Sequence, residues 1–142
     1  MRVQTLSLSN LKAVGKGGSG TPRKARTVAV APHTLFVTLS QSGETADTLA
    51  ALRLAKERGY LALLTLCNVP TSTMVREADL ALMLEAGTEV GVASTKAFTA
   101  MLIDLLLLAL CLGRRNGLPA EEERAIVEAL HGLPAQIKHT LE

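Results

Sequence analysis

The sequence predicts an α/β domain built on a parallel sheet, and three observations carry that reading. From Thr34 onward, short apolar runs of strand length alternate with longer segments of helical periodicity, the order that a parallel sheet with crossover helices produces. The runs are continuous rather than alternating, as in Leu61–Leu66 (LALLTL), which fits strands covered on both faces. The length of 142 residues is enough for one domain with a real core, because a chain of about 150 residues buries roughly 70% of its unfolded surface. It is too short for a large multidomain enzyme.

The first clear strand is Leu35–Leu39 (LFVTL), ended by Ser40-Gln41-Ser42-Gly43. Glu44–Arg58 then reads as a helix: Leu49, Leu52 and Ala55 share one face, and Gly59 supplies a C-terminal stop. Leu61–Leu66 is the second strand. Asn68-Val69-Pro70 turns the chain, and Thr71 or Ser72 can cap a short helix running through Glu77. Asp79–Leu84 (DLALML) is a third strand, Gly87–Ser94 a loop, and a long apolar helix starts near Thr95. Gly113–Pro119 breaks the chain before two amphipathic helices, Ala120–Leu130 and Ala135–Leu141, with Glu121-Glu122-Glu123 near the first helix start, where the dipole favours negative charge.

The apolar stretch Ala97–Leu112 (AFTAMLIDLLLLALCL) invites a membrane reading. Its 16 residues fall short of the roughly 20 a bilayer core needs, and Asp104 lies near the middle. A helix apolar on nearly all sides suits a protein interior or a subunit interface, so a buried helix is expected. Asp104 then either pairs across such an interface or caps a neighbouring backbone group.

Charged residues make up 20% of the chain and the net charge is +2, which argues against a disordered acidic chain and against a dedicated nucleic-acid binder. The balance hides a split. Residues 1–34 carry six basic side chains and no acid, and all 13 acidic residues follow. An acid-free, Arg-bearing start with Ser and Thr is also the composition of a transit peptide. Cys67 and Cys111 stand apart with no C-x-x-C and no histidine at ligand spacing, so neither a disulfide framework nor a metal site is expected, and both read as buried thiols of a reducing, cytoplasmic compartment. His33, His131 and His139 form no acid–base or metal arrangement. Gly15–Gly20 (GKGGSG) formally satisfies G-x-G-x-x-G, but Thr21-Pro22-Arg23 does not open a long apolar helix, so the stretch reads as a loop and no nucleotide cofactor is implied.

In a parallel sheet, ligands bind at the carboxyl ends of the strands, where the Ser40, Asn68 and Gly87–Ser94 loops emerge. The first, Ser40-Gln41-Ser42-Gly43-Glu44-Thr45, suits an anion. The first turn of a helix exposes unpaired N–H groups and the positive end of its dipole; Ser40, Ser42 and Thr45 add hydroxyls, Gln41 adds an amide, and Gly43 admits close backbone approach. A phosphate bound there needs no lysine. The plain structural alternative is that Ser42 only caps the helix, its hydroxyl on the Thr45 amide.

Three stretches taken together resemble a known family: SQSGETADTL after one strand, CNVP after the next, and GTEVGVASTKAF before the long apolar helix. They resemble the isomerase half of the glutamine–fructose-6-phosphate aminotransferases (glucosamine-6-phosphate synthases), built from sugar-isomerase (SIS) domains, from about Thr34 to the C-terminus. The resemblance implies a three-layer SIS-type α/β domain with its N-terminal strand and helix incomplete or replaced. It implies fructose 6-phosphate as ligand, with the phosphate on Ser40, Gln41, Ser42 and Thr45 and the hexose lined by Val92, Ala93 and Ser94. Ser94 or Thr95 can at the same time cap the following helix. It further implies amino-sugar synthesis, a homo-oligomer in the full-length family, no cofactor, and neither nucleic acid nor membrane as partner.

The departures from the family are as informative. Its glutaminase domain and second SIS domain do not fit within 142 residues, and its catalytic glutamate, histidine and lysine have no counterpart here, so no catalytic residue is assigned and a sugar-phosphate-binding half-site is expected. Moving a carbonyl from C2 to C1 needs acid–base groups within hydrogen-bond reach of the sugar. Val3-Gln4 and Leu6 keep a trace of the family's first strand, but Leu8-Ser9-Asn10-Leu11 stands where the family has C-G-T-S. Residues 1–33 are therefore expected to be an irregular segment foreign to the fold, and 34–142 a partial SIS domain. The alternatives are a sugar-phosphate-sensing SIS module without chemistry, as in some regulators, and a remnant that serves only as an interaction surface.

Overall fold

The computed structural model describes residues 2–4, 30–91 and 94–142. Four strands, β1 (Arg2–Gln4), β2 (Thr34–Ser40), β3 (Ala62–Cys67) and β4 (Leu80–Met83), form one sheet in the order β1-β2-β3-β4. Every pairing is parallel, with Val3 opposite Leu35, Val37 opposite Leu64, and Leu66 opposite Leu82. The carboxyl ends of all four strands therefore lie at one end of the sheet. β1 falls inside the 1–33 segment expected to be irregular, at the trace of strand noted in Val3-Gln4; the glycine-rich stretch 15–20 lies outside the described residues.

Between the strands run α1 (Ala46–Glu57) and α2 (Thr73–Glu77); α3 (Thr95–Arg115) and α4 (Ala120–Leu141) follow. α1 buries Leu49, Leu52 and Ala55, the face expected from their spacing, against Phe36 of β2, Leu63 of β3 and Met74 of α2. Tyr60 closes this cluster with its ring 5.1 Å from that of Phe36, edge to face. Side chains on both faces of the two central strands are buried, Phe36 and Leu63 on one, Val37 and Leu64 on the other, because successive residues of a strand point to opposite sides. β4 departs from this: Leu80 and Leu82 are exposed.

The chain divides into two compact units, Met1–Met101 and Leu102–Glu142. The first holds the sheet, α1, α2 and the opening turns of α3. The second holds the rest of α3 and α4, whose junction is fastened locally by the Arg114–Glu123 ion pair at 3.0 Å and by the Leu118 N–H on the Gly113 carbonyl at 2.9 Å.

Four expectations need correction. α3 is not a buried helix: Phe98, Leu102 and Leu107 are exposed, while Ala97 and Leu110 are buried. At 21 residues and mean hydropathy 2.0 it is also long and apolar enough to cross a membrane, because the helix extends beyond the 16-residue apolar stretch to include Lys96 and Arg114-Arg115. The two C-terminal helices are one, α4, with Pro134 inside it. Proline forfeits one i→i−4 bond but does not always end a helix. Finally, Cys67 is buried as expected, but Cys111 is exposed, because the α3 face that carries it is exposed.

Candidate functional site

The β2–α1 loop is built from its own side chains. Ser40, the last residue of β2 and buried, accepts the Gly43 N–H on Oγ at 2.9 Å. Ser42 accepts the Glu44 N–H on Oγ at 3.2 Å, not the Thr45 amide. Thr45 is the N-cap of α1 and makes no side-chain cap bond. Ser42 is thus a loop-shaping residue rather than the cap of α1. The amides of the first helical turn keep the freedom that an anion exploits, although exposed Asp47 shares that turn. A serine hydroxyl that accepts from a backbone amide retains its own O–H to donate. Ser40 and Ser42 are both in this state, and donors are what an anion needs.

Gly43 sits at φ +69°, and a Cβ there would lie 2.2 Å from Ser72 Oγ and 2.8 Å from Cys67 Sγ. Only glycine permits this backbone and this approach. The loop is fastened to α2 from two adjacent residues: Met74 N–H donates to the Gly43 carbonyl at 3.1 Å, and Thr73 N–H donates to Glu44 Oε1 at 2.7 Å. The latter bond holds the Glu44 carboxyl below the usual carboxylate range, helped by Arg76. Ser72 is the N-cap of α2 but makes no side-chain cap bond; Glu44 takes that place.

The loop after β3 acts as a clamp. Asn68 N–H donates to the Gln41 carbonyl at 3.3 Å, and the Asn68 side chain accepts the Ala86 N–H at 3.0 Å while donating to the Gly87 carbonyl at 2.7 Å. Glu85 and Gly87 both have positive φ, 51° and 70°, so the clamp steadies a turn that is strained at Glu85. Beyond that turn, Glu89 Oε2 accepts the Ala97 N–H at 3.0 Å, and Lys96 Nζ reaches the Thr88 carbonyl at 2.7 Å. The Glu89 carboxylate, rather than the Ser94 or Thr95 hydroxyl, takes this amide at the start of α3, and the bond lowers its pKa.

Ser40, Gln41, Ser42 and Thr45 are therefore brought together in one loop at the carboxyl end of the sheet. Ser94 stands at the entry to α3 on another loop from the same end; Val92 and Ala93 lie outside the described residues. An open cavity of about 440 Å³ between Gln41, Asn68, Pro70, Met83, Glu85 and Glu89 adjoins the first loop through Gln41. Its two carboxylates make it a poor seat for an anion, so the hydroxyl loop remains the anion candidate. Sequence reasoning missed the roles of Glu44, Asn68 and Glu89, which depend on partners 8 to 29 residues away and leave no local signal; Ser72, one of the two caps read for the short helix, does stand at the N-cap of α2.

Proteins of similar sequence and fold identify the family. The SIS domain model matches residues 22–111. The glutamine–fructose-6-phosphate aminotransferase (isomerizing) of Aliivibrio fischeri (strain ATCC 700601 / ES114) is 63% identical over 111 residues, 78% of this chain and 18% of the relative. That of Yersinia pseudotuberculosis serotype I (strain IP32953) is 60% identical over 116 residues, 82% of this chain and 19% of the relative. Among solved structures, the C-terminal domain of glucosamine-fructose-6-phosphate aminotransferase from Francisella tularensis superposes with a TM-score of 0.73 at 45% identity, covering 78% of this chain and 31% of that one. The chain thus spans about a fifth of the length of the curated relatives it matches. The α/β fold with a parallel sheet is the one expected, and the chain belongs to the SIS domain family.

Proposed function

We propose that the chain is the sugar-phosphate-binding part of an isomerase half like that of these aminotransferases, and that its ligand is fructose 6-phosphate. One observation carries the reading: Ser40 and Ser42 each accept a loop amide and so keep an O–H to donate, beside a helix N-terminus with no side-chain cap. Gln41 and Thr45 complete the phosphate contacts, and Val92, Ala93 and Ser94 line the hexose. The relatives are named for fructose 6-phosphate, which selects the sugar among possible anions. The chain supplies binding groups and no catalytic residue, and takes no cofactor. On the same reading it works in the cytoplasm, with a second copy of the full-length protein as its partner, and contacts neither nucleic acid nor membrane. Asp104, halfway along α3, favours the last point, since a carboxylate at a bilayer centre costs about 2.5–3.5 kcal/mol.

Titration of the purified chain with fructose 6-phosphate and glucosamine 6-phosphate tests the proposal. Saturable binding, weakened about tenfold or more in Ser42→Ala, is the expected result. No binding at millimolar ligand, or equal binding by the variant, overturns it.

A further inference from the structure

A carboxylate in the middle of a phosphate loop is an electrostatic liability, and the loop here contains one, Glu44. Its position is nonetheless built in. Adjacent residues Gly43 and Glu44 accept from adjacent residues Met74 and Thr73, at 3.1 and 2.7 Å. Beneath them Gly43 rests on Ser72, which is buried and whose Oγ lies 3.4 Å from Cys67 Sγ. The loop's own hydroxyls define its shape, but these two bonds hold that shape against α2.

We propose that Glu44 is a positioning residue for the phosphate loop: by accepting the Thr73 N–H, its carboxylate is occupied at α2 and fastens the Ser40–Thr45 loop in its binding shape. The inference rests on the proposed sugar-phosphate site for its functional consequence, but not for the fastening itself. Thr73 offers an independent test of the same bond. It is the first helical residue of α2, preceded by Ser72 at φ −68° and ψ 160°. Proline is tolerated at that position, and an extended preceding residue suits it. Thr73→Pro therefore removes the donor while leaving α2 a compatible backbone.

The experiment compares the full chain with Glu44→Ala, Glu44→Gln and Thr73→Pro by amide hydrogen exchange at Gly43 and Met74 and by titration with fructose 6-phosphate. Glu44→Ala and Thr73→Pro are expected to speed exchange at both amides and to weaken binding by about tenfold. Glu44→Gln, which keeps an acceptor oxygen, restores both to within a few-fold of the parent. A merely structural role for Glu44 would lower thermal stability without this selective rescue. Unchanged exchange in Glu44→Ala and Thr73→Pro overturns the fastening, and failure of Glu44→Gln to rescue overturns the role of the hydrogen bond. Weakened protection with unchanged sugar affinity overturns its link to binding. If the parent chain takes up no fructose 6-phosphate, the proposed function falls, and the exchange data alone decide the fastening.

Discussion

Asn68 bonds the Gly87 carbonyl oxygen through Nδ2 at 2.7 Å, and its Oδ1 receives the neighbouring Ala86 N–H at 3.0 Å. With its backbone N–H on Gln41, this one residue joins the loops that follow β2, β3 and β4. Asn68→Ala deletes both side-chain bonds and leaves the Ala86 amide, half-buried, without its acceptor. Losing such partners costs about 1–3 kcal/mol. Urea denaturation should show a loss in that range, with faster amide exchange at Ala86; a stability equal to the parent's would contradict the clamp.

Gly43 leaves no room for a side chain in the loop. Gly43→Ala places a methyl 2.2 Å from Ser72 Oγ and 2.4 Å from Ser72 Cβ at φ +69°. Overpacking and left-handed strain together cost at least about 2 kcal/mol. Gly43→Ala/Ser72→Gly removes the two nearest atoms and should recover part of the loss, leaving the strain at φ and the 2.8 Å approach to Cys67 Sγ. Denaturation midpoints of the single and double variants measure this, and no recovery in the double variant would count against the steric account.

Arg53 and Glu77 join α1 to α2 through a two-pronged ion pair, 2.8 Å at Nε and 2.6 Å at the terminal nitrogen. The Arg53 bonds hold the Glu77 carboxyl below its usual range. A carboxyl depressed on folding contributes stability above its unfolded pKa and loses that contribution as pH falls through the lower folded value. The Arg53 side chain is exposed and that of Glu77 partly so, so the contribution is small and screened by salt. A double-mutant cycle on Arg53→Ala and Glu77→Ala should give a weak coupling at pH 7 that fades in 1 M salt and disappears below the carboxylate range. A coupling insensitive to both would refute the electrostatic reading.

Asp104 has the opposite sign. Burial raises its pKa, and Oδ2 finds no hydrogen-bond partner among the described residues. Its ionised form is therefore disfavoured in the folded chain, and stability falls as pH rises from the unfolded pKa through the raised folded one. Asp104→Asn should stabilise the chain at neutral pH, with the gain vanishing below the ordinary aspartate range. Thermal melts of the two proteins at acid and neutral pH provide the comparison; destabilisation by Asn at neutral pH would mean that the carboxylate has a partner in the protein's working form.

The elements of the fold were legible because their causes are local. The apolar run Leu61–Leu66, the shared face of Leu49, Leu52 and Ala55, and Gly59 after α1 each declare a strand, a helix or a stop within a few residues. The candidate anion loop was legible as a candidate for the same reason, since serines, a glycine and a helix start adjoin in sequence. The fate of α3 was not legible, because composition records how apolar a helix is and not what stands beside it. Nor did Pro134 end its helix, as one missing hydrogen bond proved less decisive than continuity on either side.

Local sequence patterns were enough for the alternation of strands and helices, hence a parallel sheet, and for the cluster of polar groups after Ser40. How that loop is held came from contacts made in the folded chain: Glu44 on Thr73, Gly43 against Ser72 and Cys67, Asn68 across to Gly87. Each of these contacts joins residues 19 to 29 positions apart. Such bonds follow from the parallel order of β2, β3 and β4, which delivers three separate loops to one end of the sheet.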